Sequence, residues 1–77
     1  MKELRPGLVK ALQQKYEAQA SEHKMNIEVL LENQVGVAEH GGVLETIDAE
    51  MQKLAEAEDK LMMVNAHFAS KPAPKVV

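Results

Sequence analysis

An all-α fold, an antiparallel two-helix hairpin, is predicted by three observations. In the second half of the chain Ile47, Leu54, Leu61 and Phe68 recur every seven residues, with Leu44, Met51, Ala57 and Val64 beside them. In the first half Leu8/Val9, Leu12, Tyr16, Ala20, His23, Ile27 and Leu30/Leu31 repeat a similar pattern. Between the halves lies a break containing Gly36, Gly41 and Gly42. Each stripe marks a helix with one dry and one wet face, and the break lets the second helix return along the first.

Composition agrees. The 77 residues are 45% hydrophobic and 27% charged, enough apolar content for one folded domain. Only 3% are aromatic and Thr46 is the only threonine, so little strand-forming material is present.

Helix 1 is predicted over about 6–32. Pro6 suits a first turn, where its missing N–H costs no hydrogen bond and its fixed φ matches the helix. The loop is placed at 33–42, opened by Asn33 and Gly36, which tolerate the left-handed geometry that ends many helices. Helix 2 is expected over about 43–70. Glu45 and Asp48 near its start complement the positive end of the helix dipole, and Pro72 denies Lys71 helical geometry. Residues 71–77 read as a flexible tail.

With the turn near position 37 or 38, facing residues have numbers summing to about 75. Leu30 then faces Leu44, Ile27 faces Ile47, and His23 faces Met51. Tyr16 falls opposite Glu58, the charged member of the strict heptad Leu44, Met51, Glu58 and Asn65. Two readings stand: a Tyr16–Glu58 hydrogen bond that fixes register, or a Glu58 at the wet edge while Ala57 carries the packing.

A single seam is a thin core for a chain without cysteine or an evident metal site. Met25, Val29, Leu31, Met62 and Met63 lie beside that seam and are the expected self-association surface of a homodimeric four-helix bundle. Charge is segregated as well. Residues 1–27 carry five basic and three acidic groups, 28–59 one and nine, and 60–77 three and none. The hairpin therefore has a mildly basic open end and an acidic tip.

These features exclude several functions. His23, His40 and His67 are too far apart along one hairpin to share a metal, and no paired helical ligand motif is present, so no metal or cofactor is expected. Neither Ser21 with His23 nor Ser70 with His67 has a third orienting group, which argues against an enzyme. A net charge of −3 opposes non-specific nucleic-acid binding. The basic open end of Lys2, Arg5, Lys10, Lys60, Lys71 and Lys75 keeps a weak nucleic-acid binder as the alternative. A third class, a metal-responsive regulator, would draw on His40 with Glu39 and Glu45. No apolar run is long enough to span a bilayer, so a cytoplasmic protein is expected. Val35, Val37, Glu39 and His40, on the loop of a rigid rod, are the expected contacts for an unknown protein partner.

The run Asn26-Ile27-Glu28-Val29-Leu30-Leu31-Glu32-Asn33-Gln34-Val35-Gly36-Val37-Ala38-Glu39-His40, with Leu44-Glu45-Thr46-Ile47 and Ala55 to Leu61, resembles small helical proteins of tailed phages of the T4 type, marine cyanophages included. The resemblance spans about residues 15–68, and the VGxxEH loop is its distinctive part. It implies an auxiliary viral protein acting in the host cytoplasm and assigns no activity.

Overall fold

A computed structural model describes residues 4–32 and 42–69. Helix α1 spans Leu4–Glu32 and helix α2 spans Val43–Val64, followed by one π-helical turn, Asn65–Ala69. The two helices pack against each other as the predicted hairpin. Contacts across it join residues whose numbers sum to between 73 and 78, the signature of an antiparallel pair.

Helix α1 starts two residues before the predicted Pro6. Pro6 still lies in the first turn, where backbone N–H groups have no partner inside the helix. Gly42 caps α2 with φ −89° and ψ 0°. Its carbonyl accepts the Thr46 N–H at 3.0 Å and the Thr46 hydroxyl at 2.9 Å, so Thr46 closes the first turn with both backbone and side chain.

Among the described residues the buried core consists of Ala20, Ile27, Ala57 and Val64. Around it Val9, Gln13, Tyr16, His23 and Leu30 on α1, and Val43, Ile47, Glu50, Leu54 and Leu61 on α2, are half-buried. Both sets follow the alternating three-and-four spacing of a two-helix seam.

The seven-residue stripe therefore faces inward at Ile47, Leu54 and Leu61, and of its expected companions Ala57 and Val64 are buried, joined by Val43 and Glu50 in place of Leu44 and Met51. Leu44 is 74% exposed and Met51 46% exposed, so their expected places opposite Leu30 and His23 are not taken. Either flank of the stripe lies three residues away, and apolarity favours the wrong one. Glu50 is drawn inward because α1 offers it two hydrogen-bond partners. The same exchange occurs on α1. Gln13 faces inward and donates to the Asn65 side-chain oxygen at 2.9 Å, while Leu8, Leu12 and Leu31 are exposed.

Phe68 is a further correction, being 51% exposed with Ala69 half-buried in its place. A π turn adds a residue to the helical repeat, which rotates everything after it by about one position. The loop residues Val35, Val37, Glu39 and His40 and the tail 71–77 lie outside the described residues.

Candidate functional site

The seam carries one charged cluster midway along its length. His23 Nδ1 lies 2.6 Å from Glu50 Oε1, and Asn26 Nδ2 donates to the same oxygen at 3.0 Å. An ionised carboxylate only accepts hydrogen bonds, so the imidazole carries its proton on Nδ1 in this contact. His23 and Asn26 sit three residues apart on one side of α1, a spacing that lets both reach a single carboxylate across the groove.

The amide of Asn26 first, and the imidazole of His23 second, hold the Glu50 carboxyl below its ordinary value. A depressed carboxyl stabilises the fold above the ordinary carboxylate range, and that contribution is lost as pH falls through the folded-state value. Melting temperature should therefore fall in acid faster for the natural chain than for Glu50→Gln. The two curves should converge once Glu50 is protonated. Parallel melting curves from neutral to acid pH would show that the cluster carries no pH-dependent stability.

The Tyr16–Glu58 pairing is not made. Tyr16 is half-buried beneath the Lys60 ammonium, 5.7 Å from its ring centroid, a cation–π contact. Glu58 is exposed and lines a shallow hollow with Leu61, Met62 and Asn65. Ala57, at 2% exposure, carries the packing there. The polar link that sequence reasoning missed is Glu50. Its signal was present in the sequence as a carboxylate three residues after Ile47, on the flank where α1 presents His23 and Asn26.

At the open end a cleft of about 450 Å³ is lined by Arg5, Pro6, Val9, Lys10, Gln13, Phe68 and Ala69. Arg5 donates to the Phe68 carbonyl at 3.1 Å and so ties the two helix ends together. His67 meets Phe68 edge-on, with ring centroids 5.9 Å apart. Of the basic group expected at this end, Lys10 is exposed and lines this cleft, Arg5 is engaged with backbone and Lys60 with Tyr16, while Lys2, Lys71 and Lys75 lie outside the described residues. Among the described residues no three metal-ligating side chains converge.

The self-association residues are all exposed: Met25 61%, Val29 57%, Leu31 58%, Met62 58% and Met63 46%. They do not form one patch. Met25 and Val29 lie on the side of α1 turned away from α2, whereas Leu31 flanks the seam, and Met62 and Met63, being adjacent, point about 100° apart.

Among the described residues no helix is long and apolar enough to cross a membrane. No family model, curated protein or solved structure matches the chain.

Proposed function

We propose that this chain is a small non-enzymatic interaction protein whose hairpins associate into a four-helix bundle and bind a protein partner. One observation carries the reading. Among the described residues eleven large apolar side chains are exposed, while the buried core is four residues, two of them alanine. Apolar surface on that scale, on so slight a core, belongs to a subunit rather than to a free-standing monomer.

The Arg5 and Tyr16 contacts support this reading over the nucleic-acid alternative. Arg5 gives one of its donors to a backbone carbonyl and the Tyr16 ring lies under Lys60, so the nucleic-acid alternative rests on the exposed Lys10 and Phe68 of the open-end cleft. Val35, Val37, Glu39 and His40 at the tip remain the proposed partner contacts, and Met25, Val29, Leu31, Met62 and Met63 the self-association set. An auxiliary role in a phage-infected cytoplasm fits the sequence resemblance.

Sedimentation equilibrium with circular dichroism over a range of concentrations tests the assembly. Mass should rise with concentration to that of a dimer, and a monomer throughout would refute self-association. For the partner, alanine at Val35, Val37, Glu39 and His40 should abolish co-purification from the native host while Met62→Ala and Met63→Ala preserve it. The reverse pattern would move the contact surface to α2.

A further inference from the structure

Helix α1 carries a second apolar stripe on the side opposite α2. Starting at Leu4 and stepping by four and three residues in turn, it passes through Leu8, Ala11, Lys15, Ala18, Glu22, Met25 and Val29, apolar at six of the eight positions and charged at Lys15 and Glu22. Every one of these residues is exposed. This is the spacing of a helix–helix seam, and α1 already has one such seam against α2. A helix apolar on two opposite faces belongs in the middle of an assembly.

The order of residues along the stripe says what covers it. Laid antiparallel on a copy of itself, Leu4 meets the other copy's Val29, Leu8 meets its Met25, Ala11 meets its Glu22, and Lys15 meets its Ala18. Large apolar groups close both ends. At the centre each long charged side chain lies over an alanine, which lets the helices approach while the aliphatic stems cover apolar surface. Lys15 and the other copy's Glu22 are then one turn apart, roughly 6 Å along the axis, within reach of an ion pair. A parallel pairing would instead set Lys15 on Lys15 and Glu22 on Glu22.

We infer that the occupant of this face is a second copy of the chain, related by a two-fold axis through the α1 stripe. The four helices of the dimer then lie in the order α2, α1, α1, α2, an open arrangement in place of a closed bundle, joined by a self-complementary interface. Resting on the self-association proposed above, this assigns Met25 and Val29 to the contact and leaves Leu31, Met62 and Met63 outside it.

The chain has no cysteine, so introduced ones report geometry directly. Leu8→Cys mixed with Met25→Cys should give a disulfide-linked dimer under mild oxidation. Each variant alone should give none, because in this pairing its own copies lie roughly 25 Å apart along the axis. In sedimentation equilibrium Ala18→Glu should weaken the dimer at least about 10-fold by placing charge where the helices are closest. Lys15→Glu and Glu22→Lys should each weaken it about 3- to 10-fold, and the double reversal should restore it to within about 2-fold. All five positions are exposed, and unchanged circular dichroism at low concentration confirms the fold.

A natural chain that stays monomeric at every concentration overturns this interface and the self-association reading together. A dimer indifferent to Ala18→Glu and to both charge reversals, with no mixed crosslink, overturns the interface alone. Crosslinking by Leu8→Cys with itself would show a parallel pair and overturn it equally.

Discussion

Ile27→Ala should remove about 2 to 5 kcal/mol of stability, the usual loss when a buried branched side chain is truncated and its cavity stays partly open. Ile27 is 7% exposed and the largest of the four buried residues. Folded chains of this size hold about 4 to 12 kcal/mol in total, so the substitution takes a large share of it. The melting temperature followed by circular dichroism should drop by roughly 10 to 30 °C. Ile27→Val, which keeps most of the volume, should cost only about 0.5 to 1.5 kcal/mol. Equal melting temperatures for the two variants would show that Ile27 does not anchor the core.

Ala57→Leu should destabilise even though it adds apolar surface. Ala57 is 2% exposed, and the antiparallel register sets it opposite Ala20, itself 9% exposed. With alanine on both sides of the seam at this level, a leucine must either take a strained rotamer or push the helices apart, at about 1 to 3 kcal/mol. Leu44→Ala, at a position 74% exposed, should change the hairpin by less than about 0.5 kcal/mol. The contrast runs against hydrophobicity, since gaining a leucine harms the fold and losing one does not. A stabilised Ala57→Leu chain at low concentration would mean that the helices are not in contact at this level.

Helix positions, the antiparallel sense and the register to within a few residues were legible in the sequence because they depend on period and on the site of the break. The inward stripe Ile47, Leu54 and Leu61 followed from the same period. Of its companion, Ala57 and Val64 followed, while Val43 and Glu50 did not. Leu44 and Met51 are more apolar than Glu50, and only knowledge of what α1 presents across the groove, His23 and Asn26, shows why the carboxylate is inside. Leu12 and Gln13 repeat the lesson, with an amide preferred inside because Asn65 can accept its hydrogen bond. Polar pairs select between flanks that hydrophobicity leaves nearly equal. The exposed methionines were legible as unpartnered. Their division among several faces was not, because it depends on which side of each helix the partner takes.

The π turn at Asn65–Ala69 bears on how the chain tolerates change in length. Such a turn is the geometric equivalent of a single inserted residue absorbed without breaking the helix. Upstream, the inward positions from Val43 to Val64 keep their phase, and Arg5 grips a carbonyl within the widened turn. A relative lacking one residue in this stretch would form a plain α-helical end with Ala69 still directed inward, the hairpin otherwise unaltered. The last turn is thus where insertions and deletions among related chains should concentrate, while the helices between Val9 and Val64 hold a fixed length.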